Sequence, residues 1–92
     1  MHVNFFATFR TIVGGRSLDV PLAEGASVGD LVAWLSERYP EIGEKLRTPE
    51  GAVSRQAHIF VDGRGVQWLR DGLETPLEPN QKIDVFPAVA GG

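Results

Sequence analysis

The chain has 92 residues, a formal net charge of −3 and no cysteine. This length predicts one domain, and the lack of cysteine excludes disulfides, thiolate-bound metal centres and a thiol nucleophile. The acidic balance argues against nucleic acid as a direct partner, because proteins that bind duplexes are usually basic. The apolar runs are too short for a signal peptide or a membrane span, so we expect a cytoplasmic protein with no membrane partner.

Residues 2–9 alternate with a period of two, which predicts a first strand. One face of this strand would carry Val3, Phe5, Ala7 and Phe9, and the other His2, Asn4, Phe6 and Thr8. Gly14 and Gly15 then turn the chain, and residues 16–22 return as a second strand. These two segments predict a hairpin with a rather long loop.

Ser27 predicts the start of a helix, because it is a good N-cap and is followed three residues later by Asp30. An apolar stripe at helical spacing follows, made of Val28, Leu31, Val32, Leu35 and Tyr39. Pro40 should end this helix, since the residue before a proline avoids helical geometry. A short helical turn is expected over residues 41–47, with Ile42 and Leu46 facing inward.

The second half of the chain predicts three more strands. Residues 57–61 alternate, Asp62 and Gly63 form a tight-turn signal, and a short strand is expected around residues 66–68. After a segment rich in turn formers, residues 82–86 form the last strand. Pro87 has no N–H for a ladder, so this strand should stop before it.

The order of these elements is strand, strand, helix, strand, short strand, strand. It predicts the α+β class and a β-grasp domain, in which a mixed sheet of four to five strands carries one main helix on one face. We expect residues 1–92 to form this single domain, with residues 87–92 as a flexible tail.

No internal catalytic set is visible in the sequence. His2 and His58 have no acidic cluster at metal-ligand spacing, so surface or sheet-edge positions are expected for both, and no metal site. The Gly63-Arg64-Gly65 segment lacks the third glycine that a phosphate loop needs, and a hairpin turn explains it. We therefore predict that the chain is not an enzyme on its own and binds no permanent cofactor.

The final residues are Phe86-Pro87-Ala88-Val89-Ala90-Gly91-Gly92. A carboxylate is a poor electrophile, but ATP can convert it to an acyl-adenylate that a sulfur nucleophile of a partner attacks. Glycines let a chain enter a narrow channel, because they lack Cβ and adopt unusual backbone angles. The working group predicted here is the carboxylate of Gly92, carried on a tail of Gly91, Ala90, Val89, Ala88 and Pro87.

Three phenylalanines are predicted on the sheet face away from the helix. If Phe5, Ile59 and Val85 point inward, alternation places Phe6, Phe60 and Phe86 outward. With the last strand between the first and third, these rings form one row. A contiguous exposed apolar patch usually marks a protein–protein site, so we predict that the row binds a partner; the alternative is that loops cover it or that one register is shifted.

The whole sequence resembles the MoaD/ThiS family of ubiquitin-like sulfur carriers. The resemblance rests on residues 3–7, 27–35, 61–63, 72–77 and most specifically on the tail 86–92. It implies that a MoeB/ThiF-like adenylyltransferase uses ATP to adenylate Gly92, which is then thiocarboxylated. It also matches Phe6 and Phe86 to partner-contacting positions, and Phe60 to the centre of the apolar patch of ubiquitin.

The family resemblance favours the small subunit of molybdopterin synthase, with a MoaE-like large subunit as the sulfur acceptor. Other acceptors remain open: cysteine synthesis, a tRNA uridine, the thiazole of thiamin, or a lysine of a target protein. A different class also remains, a plain ubiquitin-like adaptor that binds through its phenylalanines and never activates its tail.

Overall fold

The computed structural model describes residues 1–88. These described residues form five strands, β1 (His2–Phe5), β2 (Ser17–Asp19), β3 (Ala57–Val61), β4 (Arg64–Gly65) and β5 (Ile83–Pro87). They also form three α-helices, α1 (Thr8–Val13), α2 (Val28–Arg38) and α3 (Pro40–Leu46). No helix in residues 1–88 has the length and apolar character needed to cross a membrane.

The strands form one mixed sheet in the order β2-β1-β5-β3-β4. The central strand β5 is parallel to its neighbour β1, with Val3 opposite Ile83 and Phe5 opposite Val85. The other three pairs are antiparallel. The prediction of an α+β, β-grasp fold with the last strand between the first and third is confirmed.

The core lies between the sheet and the helices α2 and α3. Side chains alternate along each strand, so those on one face of the sheet pack against the helices and those on the other face do not. The fully or almost fully buried apolar residues of the strands are Val3, Phe5, Ala57, Ile59, Val61, Ile83 and Val85. The helices contribute Phe9, Val28, Leu31, Val32, Leu35, Ile42 and Leu46.

The predicted start of α2 is confirmed in atomic detail. The Asp30 N–H donates to the Ser27 hydroxyl at 3.2 Å, and the Ser27 N–H donates to the Asp30 carboxylate at 2.8 Å. These two reciprocal hydrogen bonds satisfy the backbone N–H groups of Ser27 and Asp30 at the positive end of the helix. Pro40 ends α2 and begins α3, as its fixed φ and missing N–H allow at a first helical position.

The helices α2 and α3 pack closely where Gly43 faces Ser36. A Cβ built on Gly43 would lie 2.6 Å from the Ser36 Cα. Only a glycine therefore permits this approach of the two helices.

The predicted first strand was too long. The strand ends at Phe5, Ala7 has a φ of +54°, and residues 8–13 form α1 instead. Phe9 is buried as predicted, but it reaches the core from a helix. Gly14 caps this helix with a φ of +81° and donates its N–H to the Arg10 carbonyl at 2.9 Å. The second strand is also shorter than predicted, covering residues 17–19.

The tight turn after β3 is confirmed, because Asp62 and Gly63 both have positive φ, at +51° and +82°. This is the pairing that a two-residue hairpin turn requires. The strand predicted around residues 66–68 was wrong: β4 covers Arg64–Gly65, and Val66–Trp68 forms a 3-10 turn. Its closing bond is the Leu69 N–H donated to the Val66 carbonyl at 3.0 Å.

The end of the last strand also differs from the prediction. Pro87 belongs to β5 and lies opposite Ala57, and the Ala88 N–H donates to the Gln56 carbonyl at 2.9 Å. Strand β1 ends at Phe5, so no neighbour on that side needs an N–H from Pro87. The predicted free tail of residues 87–92 is therefore wrong at Pro87 and Ala88, and residues 89–92 lie outside the described residues.

Candidate functional site

The sheet face opposite the helices carries the side chains of Phe6, Phe60 and Phe86, with His58 beside them. We call these four residues the aromatic row. Each is partly exposed, whereas the strand neighbours Phe5, Ile59 and Val85 are buried. The predicted outward direction of the three phenylalanines is confirmed.

Phe86 is the centre of the aromatic row. Its ring centroid lies 5.1 Å from that of Phe60, 5.4 Å from that of His58 and 6.0 Å from that of Phe6. His58 and Phe86 are directly opposite in the β3–β5 register. Contacts of this kind fix the rings relative to one another, so the row is a preformed surface.

Arg10 holds one end of the row. Its Nε donates to the Phe5 carbonyl at 2.7 Å, and its guanidinium carbon lies 4.9 Å from the Phe6 ring centroid. This is the geometry of a cation–π contact. Sequence alternation missed this residue because Arg10 belongs to α1, which was expected to be strand and loop.

A carboxylate lies on the same face as the aromatic row. The Asp84 side chain is only 14% exposed, accepts from the Asn4 amide at 3.0 Å and lies 3.8 Å from the Lys82 ammonium. Beside it, a shallow pocket of about 320 Å³ is lined by Phe6, Ala7, Asp84, Phe86 and Pro87. Its lining is mostly apolar, so it suits an apolar side chain of a partner.

The aromatic row includes Phe86, the residue directly before Pro87, with which the predicted tail begins. Phe86 precedes Pro87, which is held in the sheet, and Ala88, which is held by Gln56. A protein that covers Phe86 therefore also lies next to the end of β5. The remaining predicted tail residues, Val89, Ala90, Gly91 and Gly92, lie outside the described residues.

Histidines and acidic residues are dispersed in the described part of the chain. Residues 1–88 contain no group of three or more His, Cys, Asp or Glu side chains that could hold a metal ion. His2 is exposed at the start of β1, 3.7 Å from Asp19 on β2, and His58 belongs to the aromatic row.

A β-grasp sheet with helices on one face and an aromatic row on the other defines the class of ubiquitin-like proteins. Within this class the chain belongs to the ThiS family, whose model matches residues 3–92. The sequence is 36% identical to small archaeal modifier protein 3 of Haloferax volcanii, over 100% of this chain and 98% of the relative. It is 32% identical to sulfur carrier protein CysO of Mycobacterium tuberculosis, over 76% of each.

Solved structures show the same fold. A Haloferax volcanii protein solved in solution has a TM-score of 0.82 at 36% identity, over 99% of this chain and 84% of that one. CysO in the BexX/CysO complex of Amycolatopsis orientalis has a TM-score of 0.75 at 28% identity, over 99% and 98%. A Pyrococcus furiosus protein assigned as molybdopterin converting factor subunit 1 has a TM-score of 0.73 at 27% identity, over 96% and 95%.

Proposed function

We propose that this protein is a sulfur carrier that works through a thiocarboxylate on Gly92. The observation that carries the proposal is the family match over residues 3–92, which includes Gly91 and Gly92. A relative covering most of this chain, CysO, is a sulfur carrier protein by name. The aromatic row supports the proposal, since it gives a partner enzyme a docking surface beside the chain that leads to Gly92.

The proposed activation has three chemical steps. A Gly92 carboxylate oxygen attacks the α-phosphorus of ATP, which gives an acyl-adenylate and releases pyrophosphate. A persulfide of a partner protein then attacks the acyl carbon, AMP leaves, and a partner thiol cleaves the sulfur–sulfur bond, with formation of a disulfide on the partner. The product is a thiocarboxylate, which is a good sulfur nucleophile. ATP is a substrate of the partner here, and the carrier itself needs no resident cofactor.

The partner for activation would be a MoeB/ThiF-like adenylyltransferase in the cytoplasm. The aromatic row would anchor the sheet on this enzyme, because three phenylalanine rings provide a large apolar contact area. Pro87 and Ala88 are fixed to the sheet by Ala57 and Gln56. Docking through the row would therefore also fix the position from which residues 89–92 reach the ATP.

Intact-mass measurement tests this function. The protein is incubated with the ThiF-like adenylyltransferase of its source genome, ATP and a persulfide donor. We expect the mass gain of one oxygen replaced by sulfur, and no gain in variants that lack Gly92 or carry one extra residue after it. An unchanged mass of the unmodified chain would favour the adaptor class, in which the row binds a partner but the tail is never activated.

The sulfur acceptor we favour is a MoaE-like large subunit, which would make the chain the small subunit of molybdopterin synthase. The Pyrococcus furiosus structure is consistent with this acceptor. Cysteine synthesis is an equally open alternative, given the CysO relative, and thiamin or tRNA thiolation would use the same thiocarboxylate. Incubating the thiocarboxylated protein with each acceptor enzyme and measuring loss of the sulfur would distinguish them.

A second candidate function is conjugation to proteins. The identity of 36% to a small archaeal modifier protein, over the whole chain, favours it as strongly as the carrier role. The chemistry shares the acyl-adenylate, but a lysine amine of a target then attacks the acyl carbon, AMP leaves, and an isopeptide bond forms. Digested proteome samples should contain lysines that carry the C-terminal residues of this chain if conjugation occurs, and a variant without Gly92 should give none.

A further inference from the structure

Trp68 is the one large apolar residue among residues 1–88 that is strongly exposed, with 77% of its surface accessible. It belongs to the Val66–Trp68 turn, which buried Val66 anchors to the core. The indole lies close to Gly65, where an added Cβ would come within 3.3 Å of the Cδ1. Trp68 is therefore positioned by a turn that is anchored in the core, while most of its surface is exposed to solvent.

Trp68 forms one wall of a groove of about 480 Å³. The other residues of the groove are Val53, Ser54, Arg55, His58, Gln67 and Ala88. These walls combine apolar surface with one fixed positive charge, Arg55, and they contain no acidic residue, although the whole chain has a net charge of −3. The groove thus suits an apolar group together with a carboxylate.

The position of this groove relates it to the proposed function. Ala88, the residue directly after β5, lines the groove and donates its N–H to the Gln56 carbonyl. His58 lines it too, and its ring is 5.4 Å from that of Phe86 in the aromatic row. The groove is therefore continuous with the aromatic row, because both include His58.

We propose that this groove, which we call the Trp68 groove, is a second docking site for the adenylyltransferase that receives the tail. This inference rests on the proposed function. Because Ala88, Arg55 and Trp68 line the same groove, an enzyme that binds the chain at Ala88 also meets Trp68 and Arg55. The segment it places there has an apolar side chain against the indole and a carboxylate facing the Arg55 guanidinium. Tryptophan and arginine are among the residue types enriched at the positions that dominate binding at interfaces.

The direct test uses the two tryptophans of the chain as internal reporters. In protein labelled with 5-fluorotryptophan, Trp68 and Trp34 give separate fluorine resonances, which the single variants Trp68→Phe and Trp34→Phe assign. We expect the Trp68 resonance to shift or broaden when the adenylyltransferase is added, whereas that of Trp34, on the α2 side, stays unchanged. An unchanged Trp68 resonance in the bound complex would overturn the proposal.

The kinetic test uses thiocarboxylation rates with the same enzyme. Trp68→Ala and Arg55→Glu should each raise the KM for the carrier at least about tenfold, as expected for central interface residues. Arg16→Glu makes the same charge change at an exposed position on the β1–β2 side and should leave the KM unchanged. Circular dichroism and thermal unfolding establish that all three variants are folded.

The outcomes separate the two proposals. If the unmodified chain and Trp68→Ala are thiocarboxylated with the same KM, and deletion of Gly92 abolishes the reaction, the proposed function stands and the Trp68 groove proposal falls. If the unmodified chain is not thiocarboxylated at all, both fall.

Discussion

The rings of Phe60 and Phe86 lie 5.1 Å apart, tilted by 46°, on the face of the sheet that the helices leave uncovered. The residue before Phe86, Val85, is fully buried, and so is Phe5 on the neighbouring strand. The adjacent strands β1 and β5 thus carry phenylalanines in opposite environments: Phe5 is buried in the core, and Phe86 lies on the uncovered face.

Replacing Phe86 by alanine should weaken binding to the adenylyltransferase by about tenfold or more, as for a central interface residue. Its folding cost should be only about 1 kcal/mol, the value of a lost aromatic contact. Phe5→Ala, the matched core variant, should lose about 3–5 kcal/mol of unfolding free energy. Urea denaturation and calorimetric titration measure the two effects. Equal losses of stability in the two variants would contradict the assignment of the row to a docking role.

Arg10→Ala removes both the hydrogen bond to the Phe5 carbonyl and the contact with the Phe6 ring. We expect a loss of about 1–2 kcal/mol in unfolding free energy from the hydrogen bond of a charged donor. Partner affinity should fall several-fold, because Phe6 is no longer fixed. Arg16→Ala, at an exposed site, is the control and should change neither quantity. If Arg10→Ala binds the partner as tightly as the unmodified chain does, the contact between Arg10 and the Phe6 ring is not needed for binding.

Gly43→Ala places a methyl group against the Ser36 backbone, at 2.6 Å from its Cα. The helices α2 and α3 must move apart, and overpacking of this kind costs about 1–3 kcal/mol. Gly15→Ala is the control, since the nearest atom to its added Cβ is the Ser17 carbonyl oxygen at 4.0 Å, and its change should stay within about 0.5 kcal/mol. Thermal unfolding compares them, and a neutral Gly43→Ala would mean that the helices can separate freely.

Ser27→Ala removes the hydroxyl that accepts the Asp30 N–H. Loss of an N-cap typically costs about 1 kcal/mol, and denaturant unfolding should show this loss without a change in the m-value. Ser27→Asp keeps an acceptor at the cap and should retain most of the stability. If Ser27→Asp loses as much unfolding free energy as Ser27→Ala, the loss would come from the β-bridge between Ser27 and Pro76 rather than from the helix cap.

Sequence patterns predicted the features that depend on local chemistry. Ser27 with Asp30, and Asp62 with Gly63, each specify one local geometry, and both were confirmed. The failures came where one spacing fits two structures: Phe5 and Phe9 are four residues apart, which suits alternate positions of a strand and also one turn of a helix. The reversal at Ala7, with its φ of +54°, has no signal in the sequence because alanine rarely adopts it.

The outward placement of Phe6, Phe60 and Phe86 was predictable because alternation leaves a strand residue only two directions. Arg10 and Trp68 could not be placed in the same way, because each belongs to a helical turn where a strand or a loop was predicted. Alternation puts Asp84 on the face of Phe86, but its hydrogen bond with Asn4 joins segments far apart in the sequence. The paired state of Pro87 was missed for a similar reason: a proline ends a strand only where a neighbouring strand needs its N–H, and β1 has already ended at that level.

The parallel pairing of β1 with β5 has a consequence for how the protein is made. Val3 and Ile83 are neighbours in the centre of the sheet, so the core cannot close until nearly all of the described sequence has left the ribosome. Pairing across so long a stretch of chain slows folding, because the entropy of closing the loop is lost before the contacts form. An interrupted translation product that lacks residues 83–87 would leave one backbone edge of β1 and one of β3 without a hydrogen-bonding neighbour.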